Sequence, residues 1–371
     1  MYIKTLTLKN FRNYSEETIE FTNGINLLVG SNAQGKTNAG EAIFYLCTGY
    51  SPRVSKESQV INYEKEEAFI KGEAYGNYGK VLVSIGFNRQ DKKVVKVNEV
   101  QVSKIGELMG NMHSVFFNPG ELKIIQDSPE DRRRFLNISL SQMSKPYFYA
   151  LNRYNKILAQ RNNLLKEKDV FMIKDTLSVW DEQLSKEAAK IIKARNDFLV
   201  KLHPIAKEVH FSLTEGLEEL EISKENDYTG TEEDIKTAFY NDLKKYYERD
   251  IKLGFTTIGP HRDDIKILVN GENVKVYGSQ GQQRTAALSI KLAEVELFKE
   301  RFNEYPILIL DDVLSELDKK RQKLLMKRIV GLQTILTATH VDRTVVKDMD
   351  INKIQIEKGK IKVRKNVKNT K

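Results

Sequence analysis

The chain is 371 residues long, with 40% hydrophobic and 30% charged residues. This length and composition exclude a largely disordered chain and favour either one large domain with an insertion or two domains. Sixty basic residues exceed 51 acidic residues, and the resulting net charge of +9 suits a polyanionic partner without identifying one.

Cysteine usage and hydropathy indicate where such a chain works. Its single cysteine, Cys47, rules out a disulfide framework and fits a reducing compartment. No run of about 18 apolar residues is present, and the opening MYIKTLTLKNF alternates like a strand, unlike the apolar block of a signal peptide. We therefore expect a soluble, cytoplasmic protein.

Strand and helix patterns predict an α/β core that is interrupted by helices. Apolar runs between glycines predict strands at 2–8, 25–29, 68–74, 81–87 and 93–97. Residues 121–215 contain no glycine, and apolar residues recur there at helical spacing. Strand and helix patterns return at 265–269, 285–298, 307–310 and 334–337.

The simplest architecture is one α/β core built from both ends of the chain. We expect residues 1–125 and 250–371 to form this core and residues 126–249 to form a helical insertion. Residues 358–371 hold seven basic and no acidic residues, which predicts a hairpin around Gly359 and then a basic tail. That tail is either solvated or in contact with phosphates.

Residues 30–37, GSNAQGKT, satisfy the phosphate-loop pattern G-x-x-x-x-G-K-[ST]. The motif follows the predicted strand 25–29 and precedes a helical pattern at 41–47, which is the context it needs. Backbone N–H groups of such a loop surround a phosphate, Lys36 neutralises β- and γ-phosphate oxygens, and the Thr37 hydroxyl binds Mg²⁺. The motif therefore predicts a nucleotide site.

Two further segments are candidates for the same site. The apolar run at 305–310 ends in Asp311, which can hold Mg²⁺ through water, and Asp312, which can orient a nucleophilic water. Without Lys36, that run would indicate only a turn or a helix cap. Residues 278–284, GSQGQQR, open a predicted helix and are either an anion-binding helix N-terminus or an ordinary N-cap.

Together these motifs resemble the ATP-binding-cassette (ABC) heads of the SMC-like chromosome and repair ATPases. The resemblance rests on the three motifs above, on Asn38, and on the segments 9–14, 116–122, 128–134, 259–264 and 311–318. It implies an α/β fold, namely an ABC-type P-loop ATPase head with a helical insertion lobe and no long coiled coil.

The resemblance also implies roles for individual residues. ATP and Mg²⁺ are the implied cofactors, and two ATP molecules would be sandwiched in a homodimer, each between Lys36 of one subunit and the Ser279 loop of the other. The implied catalytic residues are Lys36, Asp312 and His340, and the implied metal ligands are Thr37 and Asp311. The implied ATP-binding residues are Gly30, Ser31, Asn32, Ala33, Gln34, Gly35, Lys36, Thr37, Asn38 and Arg12. The implied signature residues, acting in trans, are Ser279, Gln280, Gly281 and Gln282, and the implied D-loop residues are Ser315, Glu316, Leu317 and Asp318.

Two residues depart from the family pattern. Ala33 stands where the family commonly has glycine, which costs about 1 kcal/mol if the backbone there has a positive φ. His340 stands at a switch position where an acidic or polar residue is expected. The glutamine-bearing loop of other cassettes is assigned here to 117–121.

The function implied by the resemblance is ATP-dependent DNA binding in recombinational repair and replication-fork maintenance. The implied partners are single-stranded, gapped or junction DNA without sequence preference, and the mediator proteins RecO and RecR, with which the protein would help to load the recombinase RecA and support the SOS response. Its ATPase activity would be weak and DNA-dependent, serving mainly as a switch.

Alternatives remain for the function and for the DNA contacts. A transporter's nucleotide-binding subunit would leave the long helical insertion unexplained, and a small-molecule P-loop kinase would leave the Ser279 string unexplained. For DNA phosphates, which carry no sequence information, the candidates are Arg132, Arg133 and Arg134, and basic residues of the lobe such as Arg153, Lys156 and Arg161. Solvation or ion pairing explains these arginines as well, because Glu130 and Asp131 are adjacent.

Overall fold

The structure is a computed structural model that describes residues 1–54, 56–90, 92–167, 170–342, 344–347 and 349–367. Within these ranges the side chains of residues 170–175 and 363–367 are not described. The last four residues of the expected basic tail lie outside the described residues.

The described elements alternate between strands and helices in the α/β manner that the sequence predicts. The strands are β1 Tyr2–Phe11, β2 Tyr14–Glu20, β3 Ile25–Val29, β4 Glu67–Gly76, β5 Gly79–Asn88, β6 Lys93–Val97, β7 Val100–Val102, β8 Ser114–Phe117, β9 Leu220–Lys224, β10 Ile265–Val269, β11 Glu272–Asn273, β12 Ile307–Asp311, β13 Thr334–Ala338, β14 Ile351–Glu357 and β15 Lys360–Val367. The α-helices are α1 Lys36–Thr48, α2 Ile105–Leu108, α3 Lys123–Gln126, α4 Pro129–Met143, α5 Lys145–Leu164, α6 Val170–Leu213, α7 Glu232–Lys245, α8 Tyr247–Leu253, α9 Val274–Tyr277, α10 Gln280–Phe302 and α11 Lys319–Arg328.

The central sheet has the order β15-β14-β3-β13-β12-β8, and all its neighbours are parallel except the β14–β15 hairpin. Strand β12 is buried on both faces because its side chains alternate between two cores. Ile309 packs with α1 and the antiparallel sheet, whereas Leu308 and Leu310 pack with the helices on the other side. This two-sided burial explains the continuous apolar run in the sequence.

A second sheet, antiparallel, has the order β2-β1-β4-β5-β6-β7. Helix α1 lies between this sheet and the central sheet, and most of its residues are buried, Ala39, Ala42 and Ile43 among them. This enclosure fixes the direction in which the N-terminus of α1 faces the carboxyl ends of the central strands.

The helices α4 to α8 follow one another between residues 129 and 253, and the 44-residue helix α6 packs against α5, α7 and α10. Strand β10, which the sequence assigned to the α/β core, pairs with β9 and β11 in a separate three-stranded sheet. We therefore propose that the insertion lobe extends beyond the expected boundary at residue 249 and includes residues 250–273. None of the described helices has the length and apolar character needed to cross a membrane.

The predicted strands at 25–29, 93–97 and 265–269 match the observed strands in both bounds. The hairpin around Gly359 is confirmed as β14–β15, with Lys358 and Gly359 both at positive φ in its turn. The strands β2 and β8 were not predicted, and α10 begins five residues before the helical pattern that starts at Thr285.

Candidate functional site

The phosphate loop connects β3 to α1 at the carboxyl edge of the central sheet. Gly30 approaches β14 so closely that a Cβ atom there would lie 2.3 Å from the carbonyl oxygen of Ile356. Gly35 has a φ of 115°. Both positions therefore require glycine. The first N–H groups of α1 lack intrahelical partners, so this helix start is suited to bind an anion.

Lys36 is the first residue of α1 and lies within the loop it closes. Its Nζ donates to the carbonyl oxygens of Gly30 at 2.6 Å and Ser31 at 2.8 Å. Burial lowers the pKa of Lys36, and the nearby carboxylates of Asp312 and Asp311 act in the opposite direction. The ammonium thus lies between the phosphate loop and the acidic pair, where phosphate oxygens would replace the two carbonyls.

Asp311 is the last residue of β12, and its carboxylate accepts hydrogen bonds from two threonine hydroxyl groups. Its Oδ1 accepts hydrogen bonds from Thr37 Oγ1 at 2.8 Å and from Thr337 Oγ1 at 2.6 Å. Burial raises the pKa of Asp311, while these two hydrogen bonds favour its ionised form. The hydroxyl of Thr37 and the carboxylate of Asp311 are the hard oxygen ligands that Mg²⁺ prefers, so the residues present fit this ion.

Asp312 adopts the left-handed backbone region, with a φ of 55°. Its N–H donates to Thr337, at 3.2 Å from the carbonyl oxygen and 3.1 Å from Oγ1. Aspartate tolerates this conformation better than most residues. The chain therefore turns sharply after β12, and both carboxylates stay near Lys36.

Strand β8 brings a further polar residue to this edge. Phe117 pairs with Leu310, so Asn118 stands beside Asp311 at the carboxyl ends of two parallel strands. The Asn118 side chain accepts a hydrogen bond from the N–H of Glu121. Within the segment 117–121, Asn118 is thus the polar side chain nearest the acidic pair in strand register. The sequence did not predict β8, which has only four residues.

The predicted ATP contact Arg12 is engaged elsewhere in this structure. Its Nε and Nη2 donate to the two carboxylate oxygens of the buried Glu41, and its Nη1 donates to the carbonyl oxygen of Gln59. Arg53, which sequence reasoning missed, donates to Asn38 Oδ1 at 3.0 Å and to Glu41 at 3.4 Å. Its side chain is 42% exposed. Arg53 is thus a cation beside the phosphate loop, and no sequence pattern identifies it.

The signature string begins α10, where the structure shows the N-cap that the sequence offered as one alternative. Ser279 is the N-cap: its hydroxyl accepts from the N–H of Gln282, whose side chain in turn accepts from the N–H of Ser279. Ser279 and Gln280 are nevertheless exposed, and among the described residues the atoms nearest the open side of Gly281 belong to Arg321 and Ser279. This helix start therefore presents its N-terminal face outward.

The signature helix and the D-loop are joined within the subunit. Arg284 forms an ion pair with Glu316 and donates to the Glu316 carbonyl oxygen at 3.3 Å. Asp318 is the N-cap of α11 and accepts from the N–H groups of Lys320 and Arg321. Ser315, whose Oγ donates to the Asp312 carbonyl oxygen, and Leu317 complete the loop.

His340 follows β13 by two residues and is exposed. Strand β13 lies between β3 and β12, and Ala338 pairs with Val29, the last residue before the phosphate loop. His340 therefore belongs to the same edge of the sheet as Lys36 and Asp312.

The candidate DNA-contacting arginines differ in exposure. Arg161 of the lobe is fully buried and pairs with Asp181 and Asp250, so it is not accessible to a phosphate. Arg132 is buried, and its Nε and Nη2 donate to the two carboxylate oxygens of Asp264 at 2.5 and 2.7 Å. An internal ion pair thus replaces the predicted DNA contact of Arg132, because its guanidinium is not accessible to a phosphate. Arg133 is half-buried and donates to the Asp263 carbonyl oxygen, and Arg134 is exposed and donates to the Pro52 carbonyl oxygen.

Comparisons with known proteins agree with this geometry. The family model described as RecF/RecN/SMC N terminal domain matches residues 2–362. The DNA replication and repair protein RecF of Clostridium kluyveri is 44% identical over 364 residues, covering 97% of this chain and 99% of its own.

Solved structures are similar over the same length. The recombination mediator protein RecF with ATP, in the RecFOR pathway, has a TM-score of 0.88 and 36% identity, covering 99% of this chain and 98% of its own. An Smc head bound to the C-winged helix domain of ScpA has a TM-score of 0.60 at 16% identity, covering 99% of this chain and 98% of its own. The second likeness shows the fold alone, and it is the SMC-type head fold expected from the motifs.

Proposed function

This chain belongs to the RecF family of DNA replication and repair proteins, and on that premise we propose that it is an ATP-driven switch that dimerises to bind DNA. The ABC-type ATPase fold, with a phosphate loop and an acidic pair on one sheet edge, is that of an ATP-binding protein. The transporter subunit and the small-molecule kinase, considered from the sequence, belong to other families.

One observation carries the dimer. The Ser279 helix start is exposed, and among the described residues its hydroxyl accepts a hydrogen bond from the N–H of Gln282, whereas Lys36 and Asp311 have their partners within the phosphate loop and the sheet edge. An exposed helix N-terminus without a lysine is suited to bind the phosphates of a nucleotide held by another subunit. We propose that Ser279, Gln280, Gly281 and Gln282 act in this way, with the D-loop residues 315–318 at the same interface.

Hydrolysis would then use the phosphate loop and the acidic pair of one subunit together with the signature of its partner. Lys36 would leave the carbonyl oxygens of Gly30 and Ser31 for the β- and γ-phosphates, with Arg12 and Asn38 near the loop. Mg²⁺ held by Thr37 and Asp311 would neutralise charge on the transferred phosphoryl group. Asp312 would orient the water whose oxygen bonds to the γ-phosphorus as the bond to the ADP oxygen breaks, and His340 would contact the γ-phosphate. The ATPase is expected to be slow in the monomer, because the signature comes from the partner.

The finer biological role is proposed from the relatives. The ATP-bound RecF structure is described as a recombination mediator in the RecFOR pathway. By this relationship the chain would recognise single-stranded or gapped duplex DNA, act with RecO and RecR to load RecA, and support replication forks and the SOS response. Sequence-independent phosphate contacts suit this role, because gaps and junctions share a structure and not a base sequence.

Sedimentation velocity tests the switch directly. The chain is run alone, with ATP and Mg²⁺, and with gapped duplex DNA in the presence and absence of ATP. A dimer that requires ATP, and DNA that co-sediments with that dimer, are the expected results. A chain that stays monomeric with saturating ATP would contradict the proposal.

A further inference from the structure

A cavity of about 1240 Å³ opens between the ATPase core and the insertion lobe. The segment that follows α1 forms one wall, and α4, α5 and the loop at 260–262 form the other. This cavity is separate from the phosphate loop, none of whose residues lines it. We call it the interlobe cleft.

The interlobe cleft carries exposed cations that have no carboxylate partner. Arg134, Arg262 and Lys56 line it, are exposed, and form no ion pair with any residue that the structure describes. Arg133 and Arg195 add two further guanidinium groups, and burial together with these like charges lowers the pKa of Arg133. Positive groups collected in this way favour an anionic ligand.

The acidic side chains of the cleft do not cancel this charge. Glu57 is held by Lys93 at 2.6 Å, and Asp131 accepts a hydrogen bond from Ser128 at 3.1 Å. Glu130 is exposed at the rim. The lining thus has five arginines and one lysine, counting Arg53, against three carboxylates. Outside the lining, Lys93 pairs with Glu57, while Asp263 pairs with Arg195 and Glu41 with Arg53, so among the described residues the unpaired charge is that of Arg134, Arg262 and Lys56 with Arg133.

A buried polar network holds the far wall in place. Arg195 donates to the Pro260 carbonyl oxygen at 2.6 Å and to Asn137 at 2.9 Å. The hydroxyl of Tyr154 lies 2.6 Å from His261 Nδ1, and His261 Nε2 lies 3.0 Å from the Thr256 carbonyl oxygen. These contacts fix the loop that presents Arg262, so the cation is positioned by the fold and not by a mobile segment.

The cleft also offers contacts suited to bases. Tyr50, which is 49% exposed, lines the core side, with Lys93 Nζ 4.7 Å from its ring centroid. Asn152 and Asn155 on α5 are exposed on the lobe side and carry amides that can donate and accept. A basic groove with an accessible aromatic ring is the arrangement that binds unpaired nucleotides.

We propose that the interlobe cleft binds a short stretch of unpaired nucleic-acid strand, with its phosphates on Arg134, Arg262 and Lys56 and a base against Tyr50. This inference rests on the proposed DNA-binding function and assigns the single-stranded part of the substrate to one place. The cleft volume holds a few nucleotides but not a turn of duplex. A free nucleotide has the same chemistry and is the alternative source of the ligand.

One residue, Arg53, connects the cleft to the end of the phosphate loop by its contacts. Arg53 lines the cleft and also donates to Asn38, the residue after the phosphate-loop threonine. A strand phosphate that draws Arg53 toward the cleft would loosen this contact. By linkage, ATP and the strand would then alter each other's affinity by the same factor.

Fluorescence anisotropy with a labelled oligothymidylate tests the site in the full chain with ATP and Mg²⁺, at fixed low salt, with an equally long hairpin duplex as a second probe. The cleft variant is Arg134→Glu with Arg262→Glu. Its matched control is Lys186→Glu with Lys252→Glu, which makes the same charge change at two exposed lysines of the insertion lobe away from the cleft. Because Arg134 contacts Pro52, Lys56→Glu with Arg262→Glu serves if the first pair fails to fold.

We expect the cleft variant to lose roughly tenfold or more in affinity for the single strand, since phosphate contacts dominate affinity. The control should change by less than about threefold, and both should bind duplex alike and dimerise with ATP as the unmodified chain does. Tyr50→Leu should lower the affinity for the single-stranded probe and leave the affinity for the duplex probe unchanged. Equal losses in the cleft and control variants would overturn the cleft assignment while leaving the function intact.

Two further outcomes are distinct. If dTMP displaced the oligonucleotide at an equal nucleotide concentration, the cleft would be a site for a free nucleotide, and the proposal that it binds an unpaired strand would be wrong. An unmodified chain that binds neither DNA probe would overturn the proposed function, and the cleft assignment with it.

Discussion

The Thr37 hydroxyl donates a 2.8 Å hydrogen bond to Asp311, a residue 274 positions further along the chain. This contact joins the start of α1 to the end of β12, two strands away from β3 in the central sheet. It sets the distance between the phosphate loop and the acidic pair before any nucleotide binds. The site is thus preorganised by the parallel sheet, since neighbouring parallel strands end at one edge.

Ala33 gives a stability prediction inside the phosphate loop. Its φ of 62° lies in the left-handed region, where a Cβ atom costs roughly 1–2 kcal/mol. Glycine removes that cost in the folded state. Part of the gain is lost because glycine also increases the conformational entropy of the unfolded chain. Ala33→Gly should therefore raise the free energy of unfolding by about 0.5–1 kcal/mol, as measured by denaturant titration.

The control for Ala33→Gly is Ala159→Gly on the exposed side of α5. Helical glycine lacks that compensation, so this variant should lose about 1 kcal/mol. A loss of similar size for Ala33→Gly would show that the backbone strain at Ala33 carries no cost.

Asn118 provides a prediction at the end of β8. Asn118→Ala should lower ATP hydrolysis roughly 100-fold, as loss of one preorganised polar group at a reacting centre does, while ATP affinity changes little. It also removes the cap on the N–H of Glu121, at about 1 kcal/mol of stability. Asn118→Ser keeps a capping oxygen but not the reach of the amide, so it should restore stability without hydrolysis. Full hydrolysis in the serine variant would assign Asn118 a capping role only.

The pH dependence of stability has one traceable source in His113. This side chain is buried against Phe302, with ring centroids 3.9 Å apart, and burial lowers its pKa from 6.5 to about 4. Between these two values the unfolded chain binds the proton and the folded chain does not, so stability is full above pH 6.5 and falls as the pH drops toward 4. In the His113→Phe variant, the decrease in the free energy of unfolding between neutral and acidic pH should be smaller by up to roughly 3 kcal/mol.

Thermal or denaturant unfolding at pH 7.5 and pH 5 measures the effect of His113→Phe. Nδ1 of His113 has no hydrogen-bond partner among the described residues, so phenylalanine should be tolerated at neutral pH. A variant whose stability falls with acid as steeply as that of the unmodified chain would assign the acid loss to other groups, among them His261, whose pKa is also lowered to about 4 by burial.

The sequence predicted those parts of the molecule that depend on local pattern. The buried strands β3 and β12 read as continuous apolar runs, and the phosphate loop has fixed spacing and requires glycine at two positions. Strands β2 and β8 escaped prediction because one is largely polar and the other has only four residues. Strand β8 is placed by pairing with β12, which lies much later in the chain and outside any local window, whereas β2 pairs with the adjacent β1.

Side-chain partners were harder to predict than elements. Arg132 and Arg134 share one run of arginines, yet α4 buries the first against Asp264 and exposes the second, because positions two apart on a helix face different sides. Arg53 belongs to no motif and reaches Asn38 only because the chain folds back after α1. Long-range pairing decides these roles, and composition does not.

Lys36→Met and Asp312→Asn separate ATP binding from hydrolysis. The first removes the ammonium between the phosphate loop and the acidic pair, so nucleotide binding and the dimer should be lost together. The second keeps the backbone, since asparagine also tolerates the φ of 55° found at Asp312. Its dimer should last longer with ATP because hydrolysis is slow. Sedimentation at successive times after ATP addition measures the dimer fraction of each variant. A Lys36→Met chain that dimerises normally with ATP would contradict the proposed dimer.

The trans role of Ser279 has a decisive test by mixing. Ser279→Arg should leave the ATP affinity of the monomer nearly unchanged, because the phosphate loop of the same chain is complete without it. It should abolish ATP-induced dimerisation, because a bulky cation would enter the phosphate site of the partner. Ser279→Ala is the milder comparison, since it removes the hydroxyl and about 1 kcal/mol of N-cap stability but adds neither bulk nor charge at the interface.

Mixing Ser279→Arg with Lys36→Met creates a heterodimer in which one composite site has an intact phosphate loop and an intact signature. We expect ATP hydrolysis to recover partially in this mixture, although each variant alone is inactive. Titrating one variant against the other should give maximal activity near equal amounts. If Ser279→Arg alone failed to bind ATP, Ser279 would belong to its own subunit's pocket, and the sandwich arrangement would be wrong.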